Sequence, residues 1–432
     1  MAEATAQAPG AEAFPGAAGV SATRRWLLLA LLIAAGILNY VDRQVIAVLK
    51  PLIEGDMGWT DADYGRLASL FQLSAAVAYV GTGWIVDRLG VKWATPAGVF
   101  AWSLAAMSHG WAMTIGQFSM ARIALGATES MGTPASVKTI GALFSARMRS
   151  LAFGISNGSA NVGAIVTPLV LPMLALAVGW RGSFILVGAL GLIWTALWLV
   201  ATRGVSFTRA VAAKVSVRST ASGLKTLLSD RRTWGVAGAK ALSDQVWWLL
   251  LFWAPDFFHR VFHLSVKQLG GPLALVYTLA AIGSLTAGWI ASRLLARGLS
   301  INTVRKGMML VCALLVTPVP LALYLHNEWA AAGLLGLTLA AHQGFSVSVF
   351  STIADIIPKS RVGTVTSFGA LCGNLAGMGI VLLAGESLTA GLGYGPLLII
   401  AAGSYLAALG WLQLWLPRLT LAEEPADQTA TA

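Results

Sequence analysis

Four charged residues lie where a lipid-embedded chain should have none. Asp42 and Arg43 fall within an apolar stretch at 26–49, and Arg122 and Glu129 within another at 116–143. A charge at the bilayer centre costs at least ~2.5–3.5 kcal/mol, so each should face a wet cavity and a partner. Neighbours on a helix are turned by about 100°, so Asp42 and Arg43 point different ways and do not simply neutralise each other. Arg122 and Glu129 are separated by almost two whole turns, which puts both on one face with about 10 Å of rise between them. A guanidinium offers a two-pronged donor for a carboxylate, and a desolvated carboxylate takes up a proton more readily than one in water. The set could therefore bind an organic anion and exchange a proton. The alternative is that the four form salt bridges that only hold two helices together. Apolar packing would do that at lower desolvation cost, which favours the functional reading.

The remaining polar residues carry less. Lys138 is turned away from Arg122 and is expected to snorkel towards the membrane surface. Lys240 and Asp244 form an i, i+4 pair, as readily structural as functional. Asp355 and Glu386 read as interfacial, and Asn161 and Asn374 as interhelical hydrogen-bonding residues. Gly154 and Gly158 give their helix a small-residue face for close packing. Cys312 and Cys372 lie inside apolar runs and read as small buried hydrophobes. His259 and His263 have a spacing a metal could use, but no third ligand accompanies them, so no metal is expected. No nucleophile–base pair, phosphate-cradling glycine loop or metal cluster is present in the sequence, so an enzyme is not expected.

The elements that must hold these residues follow from composition. The chain has 432 residues, 57% hydrophobic and only 11% charged, with 47 glycines. Too few polar side chains exist to cover a water-soluble globule. Apolar stretches of bilayer length fall at 26–49, 67–86, 93–112, 116–143, 151–176 and 181–201, and again at 234–257, 269–292, 308–325, 330–357, 362–388 and 396–416. The expected fold is all-α and integral to the membrane, with twelve spans. Its parts are a tail at 1–22, a six-helix half at 23–201, a basic linker at 202–232, a second six-helix half at 233–417 and a tail at 418–432. Lys and Arg favour one side, twenty against five, which predicts both termini in the cytoplasm of a multi-pass inner-membrane protein. The net charge of +11 is thereby assigned to topology and anionic lipid contact rather than to nucleic acid. The halves also repeat: Gly83-Trp84-Ile85-Val86-Asp87-Arg88-Leu89 returns as Gly288-Trp289-Ile290-Ala291-Ser292-Arg293-Leu294. Duplicated halves mark a rocking transporter whose substrate site lies near the midplane between them.

Gly83-x-x-x-Asp87-Arg88-x-Gly90-x-Lys92 resembles the inter-helix loop signature of the major facilitator superfamily. Asn39-Tyr40-Val41-Asp42-Arg43-Gln44, the run from Arg122 to Glu129, and Pro134 to Thr139 resemble its anion:cation symporter family. Asp244-Gln245-Val246-Trp247-Trp248 and Ala341-His342-Gln343 are most similar to the hexuronate transporters within it. The resemblance implies that Arg43, with Arg122 nearby, takes the substrate carboxylate and that Asp42 and Glu129 couple the proton. It places Tyr79, Asn161, Trp247 and Gln343 in the same pocket. Gly83, Asp87, Arg88, Gly90, Lys92 and Arg293 would belong to the loops that change conformation. Ala75, Gly132, Leu250 and Ala281 stand where the family commonly has a tyrosine, an asparagine, a tyrosine and an aspartate, so the polyol side of the pocket reads as stripped. The implied function is proton-coupled uptake of an organic anion, a hexuronate or related sugar acid, by alternating access. A less hydroxylated carboxylate, or anion exchange or efflux, is the alternative. The proton gradient is the expected energy source, with no cofactor and a monomeric chain.

Overall fold

The computed structural model describes residues 20–144, 146–205, 207 and 227–420. Nearly all of the expected tail at 1–22, most of the linker at 202–232 and most of the tail at 418–432 lie outside the described residues. Among those described there is no strand. The helices are α1 (Ala22–Val48), α2 (Lys50–Met57), α3 (Asp61–Leu89), α4 (Val91–Ser108), α5 (Ile115–Glu129), α6 (Gly132–Leu143) and α7 (Ala146–Ala201). They continue as α8 (Arg231–Phe262), α9 (Gly270–Ala296), α10 (Ile301–Val316), α11 (Glu328–Ile356), α12 (Lys359–Thr389) and α13 (Gly395–Trp415).

Twelve crossings emerge from these helices once three irregularities are accounted for. Helix α7 turns back at Gly179, whose φ of 72° is open to glycine and strained for other residues, and so makes two crossings. Helices α5 and α6 together make one, interrupted at Ser130 and Met131. Helix α10 is extended by a 3-10 turn at Val319–Tyr324. Seven segments are long and apolar enough to cross a membrane unaided, and α3, bent by 57° near Tyr79, makes an eighth. Among the crossings that fall short, α5 and α8 are the ones that carry Arg122, Glu129, Lys240 and Asp244. Helix α5 falls short by its length of 15 residues, the helix breaking after Glu129, and α8 because Lys240, Asp244 and other polar residues dilute its apolarity.

Side-chain caps fix several helix starts. Thr60 and Asp63 form a reciprocal capping box on α3, and Thr114, Asp230 and Asn327 accept from the first turns of α5, α8 and α11. The duplicated motif is also duplicated in geometry. At the end of α3 the Arg88 guanidinium lies 4.9 Å from the centre of the Trp84 ring, and at the end of α9 Arg293 lies 4.1 Å from Trp289. Each arginine stacks on the tryptophan one turn earlier, an interaction favoured by the ring quadrupole.

The bundle has two ends. One carries Ala22 and Trp415 and is called the terminal end; the other carries α2. The hydrogen bonds joining the two halves cluster at the α2 end, where α3 packs along α12. Ala62 N–H donates to Thr389 Oγ1 at 2.9 Å, and Ser69 Oγ to the Met378 carbonyl at 3.0 Å. The approach is close enough that a β-carbon on Gly385 would lie 2.5 Å from the Asp61 carbonyl oxygen. By contrast, a side chain at Gly154 or Gly158 would meet nothing within 4 Å, so the close-packing face expected of them is absent. The tight contacts of α7 run instead through Gly163, against Ile37 and Tyr40 of α1, and through Gly188 and Gly191, against Ser103 and Met107 of α4.

Candidate substrate and coupling site

Helix α1 delivers Asn39, Tyr40, Asp42 and Arg43 to the centre of the first half, and the last turn of α5 delivers Glu129. Arg43 Nε donates to Glu129 Oε2 at 2.7 Å. The pair lines a cavity of about 470 Å³ that also takes in Asn39, Tyr40, Tyr79 and Ser136. Its lining on α1 runs from Arg43 back to Leu32, and on α6 from Gly132 to Ile140, so it extends from the pair towards the terminal end. The helix break after Glu129 places this carboxylate at a helix end facing the cavity. The hydroxyls of Thr133, Ser136, Ser156 and Ser159 share the remaining wall with apolar side chains such as Leu32, Trp102, Val137 and Phe153.

Behind the pair, away from the cavity, Arg122 is sealed completely, and none of its three guanidinium nitrogens has a hydrogen-bond partner. Asp42 Oδ1 and Glu129 Oε1 are likewise buried without partners. Phe71 of α3 stands within reach of both cations: Arg43 lies 5.6 Å and Arg122 5.8 Å from its ring centre. Asp42 makes no ion pair with Arg122 among the described residues, and the carboxylate that finds a cation is Glu129, bonded to Arg43 on a neighbouring helix. Helical phase relates residues within α5 but is silent about which helix lies opposite.

The other expected pocket residues divide. Tyr79 lines the cavity and is 39% exposed. Asn161, Trp247 and Gln343 do not line it. Trp247 is buried and stacks on His342 with ring centres 5.4 Å apart, while Asn161 and Gln343 are half-buried on α7 and α11. His342 Nδ1 lies 2.7 Å from the Tyr405 hydroxyl, which itself donates to the Ser243 carbonyl. The Tyr405 hydrogen is thereby used, so His342 Nδ1 is the donor to it. Lys240 and Asp244 pair at 2.7 Å as their spacing predicts. Asn374 bonds within its own helix, to Ala370, rather than between helices.

In the loop motif, Gly90 takes a φ of 72° and caps both α3 and α4, and Lys92 Nζ donates to the Val205 carbonyl. Asp87 pairs with Lys138. Lys138 is therefore an ion-pair partner of the loop, not a snorkelling residue.

Sequence reasoning missed a second assembly, at the α2 end. Lys50 Nζ donates to Glu54 at 2.8 Å, Asp61 at 2.8 Å and Asp256 at 2.7 Å. Arg260 Nε donates to Asp256 at 2.8 Å, and its Nη2 donates to Asp61. The Tyr394 hydroxyl donates to Asp256, and the Tyr64 hydroxyl to the Phe252 carbonyl at 2.7 Å. Burial alone would lower the pKa of Lys50, but Asp256, then Asp61 and Glu54, outweigh it and hold the ammonium above its ordinary value. Lys50, Glu54, Asp61 and Tyr64 come from the first half, and Asp256, Arg260 and Tyr394 from the second. The network thus fastens the halves across the α2 end. The i, i+4 spacings of Lys50–Glu54 and Asp256–Arg260 were the local signals for it.

The sequence profile of the Major Facilitator Superfamily matches residues 32–382. The chain belongs to that superfamily. Its relatives include the hexuronate transporter of Escherichia coli (strain K12), 25% identical over 433 residues, covering 94% of this chain and 96% of that one. The D-galactonate transporter of Escherichia coli O6:H1 is 25% identical over 415 residues, covering 90% and 95%. Among solved structures, a bacterial homologue of the human lysosomal transporter Spinster, in an inward-facing and unoccupied conformation, superposes with a TM-score of 0.72 at 19% identity. That alignment covers 92% of this chain and 96% of that one. This member of the superfamily is accordingly a multi-pass membrane transporter built from two six-helix halves, and not an enzyme.

Proposed function

We propose that the chain is a proton-coupled symporter that takes up a sugar-acid anion by alternating access. In this reading it works as a monomer in the cytoplasmic membrane, with both termini inside. The observation that carries it is the Arg43–Glu129 ion pair on the wall of the cavity. A guanidinium held by a carboxylate is an occupied anion site. Protonating Glu129 removes the competitor and frees Arg43 for a substrate carboxylate, and arrival of that carboxylate in turn favours the protonated form of Glu129. Linkage makes the two effects equal. Asp42 and Arg122, buried behind the pair, would pass charge between this site and the opposite side as the halves rock.

The excess of Lys and Arg on the terminal end supports assigning that end to the cytoplasm. The cavity then faces inward, and the ion-pair network closes the outside. Sugar-acid transporters among the relatives support the substrate class. A less hydroxylated carboxylate is the second reading, favoured by Ala75, Gly132, Leu250 and Ala281 at positions where the family commonly offers more polar side chains. Exchange or efflux of such anions remains the third.

The test is uptake of D-glucuronate into proteoliposomes under an inward proton gradient. Accumulation that a protonophore collapses is the expected result. Uptake that follows a sodium gradient and ignores the protonophore would overturn proton coupling, and uptake of benzoate without D-glucuronate would favour the second reading.

A further inference from the structure

Between the Arg43–Glu129 pair and the ion-pair network of the α2 end lie buried polar side chains that make no well-formed hydrogen bond. Gln44 of α1 and Gln72 of α3 are 1% and 2% exposed, and neither the oxygen nor the nitrogen of either amide has a partner. Tyr277 of α9 is 2% exposed, and its hydroxyl faces the Gln44 amide within interaction range but short of a well-formed hydrogen bond. Arg122 of α5, also without an acceptor, lies 5.8 Å from the ring of Phe71, the residue before Gln72.

These groups sit on the seam between the halves. Gln44 and Tyr277 approach from opposite halves. Gln72 is pressed against the second half, close enough that a β-carbon on Gly377 would lie 3.0 Å from its Oε1. A buried amide without partners is costly, and apolar side chains of the same shape would close the seam better. The amides therefore do nothing for the closed arrangement. They become useful when the seam parts at the α2 end.

We propose that Gln44, Gln72 and Tyr277 are the outward-facing recognition site for the hydroxyl groups of a polyhydroxylated acid whose carboxylate is drawn towards Arg122. The proposal rests on the transport reading above and deepens it. Two amides supply donors and acceptors together, and a phenol supplies both, which matches hydroxyls that each give and take a hydrogen bond. An aliphatic or aromatic acid would leave the same groups unpaired as they desolvate. The polyol side missing at Ala75, Leu250 and Ala281 is thus provided one helical turn or more away, and on the outward path rather than in the inward cavity.

The experiment compares the unmodified protein with Gln44→Met/Gln72→Met and with Tyr277→Phe. It uses D-glucuronate as the probe and hexanoate, of equal chain length without hydroxyls, as competitor. Half-saturation is read from the outer face in right-side-out vesicles and from the inner face in inside-out vesicles, with melting temperature in detergent alongside. The double variant should raise the outer half-saturation for D-glucuronate on the order of tenfold, as expected for two lost neutral hydrogen bonds. The inner value should stay within about twofold, competition by hexanoate should not change, and the melting temperature should be equal or higher, because only unpaired amides are removed. Tyr277→Phe should shift the outer value in the same direction by less. An unchanged outer value, or an equal loss at both faces with a lowered melting temperature, overturns the site while leaving the transport reading intact. Transport of hexanoate alone by the unmodified protein overturns the site in the same way. Failure of the unmodified protein to move either acid refutes the transport reading, and the site with it.

Discussion

Lys50 and Arg122 are both fully buried cations, 1% and 0% exposed, yet they live in opposite surroundings. Three carboxylates accept from Lys50, and aromatic rings of Tyr64 and Trp253 lie 5.4 and 5.6 Å from its ammonium. Arg122 has no acceptor for any of its nitrogens. The same contrast holds for their neighbours. Asp256 bonds to Lys50, Arg260 and Tyr394, whereas Asp42 and Glu129 each keep a buried oxygen unpartnered. A satisfied network stabilises the one arrangement in which it is satisfied. An unsatisfied one is held in place by the rest of the fold and gains its partners in another state. The α2 end reads as a fastening, and the membrane centre as a site waiting for a ligand and a proton.

The largest expected effect comes from breaking the fastening. Lys50→Met leaves three carboxylates facing one arginine, and removing one partner of a buried pair costs about 3–5 kcal/mol. Much of that cost is relieved when the halves part, so the protein should shift towards an arrangement open at the α2 end. In a background lacking Cys312 and Cys372, a cysteine at Ser69 should react with a membrane-impermeant maleimide at least roughly ten times faster in Lys50→Met than in its parent, since each 1.4 kcal/mol is about tenfold in an equilibrium. Equal rates would mean that the network does not fasten the halves.

The next effect sharpens the comparison between paired and unpaired cations. Arg43→Ala deletes the partner of Glu129 and should weaken D-glucuronate binding by about 2–5 kcal/mol, with a fall in melting temperature. Arg122→Met removes a cation that has no partner in this state, so the folded protein should keep or raise its melting temperature while losing uptake. Melting curves and uptake on the same preparations check both. A melting temperature for Arg122→Met as low as that of Lys50→Met would mean that Arg122 has a partner after all.

A smaller effect follows from the raised pKa of Lys50. A cation whose pKa is higher when folded contributes stability that is complete below its unfolded value, about 10.4, and is lost as pH rises through the folded one. The stability difference between the unmodified protein and Lys50→Met should therefore be flat from pH 7 to about 9 and should shrink only above the ordinary lysine value. Thermal melts across that range measure it. A difference that closes near neutrality would assign the fastening to another group.

Much of this was legible in the sequence, for physical reasons that also set the limit. Runs of bilayer length place most crossings, and the recurrence of Gly-Trp-Ile before Arg88 and Arg293 exposes the duplication, down to a shared arginine–tryptophan stack. Asp42, Arg43, Arg122 and Glu129 stand out because charge in an apolar run is costly. Pairing is another matter. Arg43 and Glu129 meet across two helices, and no periodicity within either one predicts the other's azimuth. Lys50 and Arg260 sit at span ends, where a cation is unremarkable in sequence. Only folding brings Asp61 to both of them and Asp256 to Lys50, whereas Asp256 and Arg260 are one turn apart on α8. Gln44 and Gln72 carry no charge, so inside their apolar runs they stand out less than Asp42 and Arg43 do.

The most direct test of the ion pair as an anion site gated by a proton is Glu129→Gln, which mimics the protonated carboxylate and leaves Arg43 free. In proteoliposomes the variant should exchange D-glucuronate between the two sides at a rate comparable to the unmodified protein. Under an imposed inward proton gradient it should fail to accumulate D-glucuronate above the external concentration. Accumulation equal to that of the unmodified protein would contradict the role assigned to Glu129 and to its bond with Arg43.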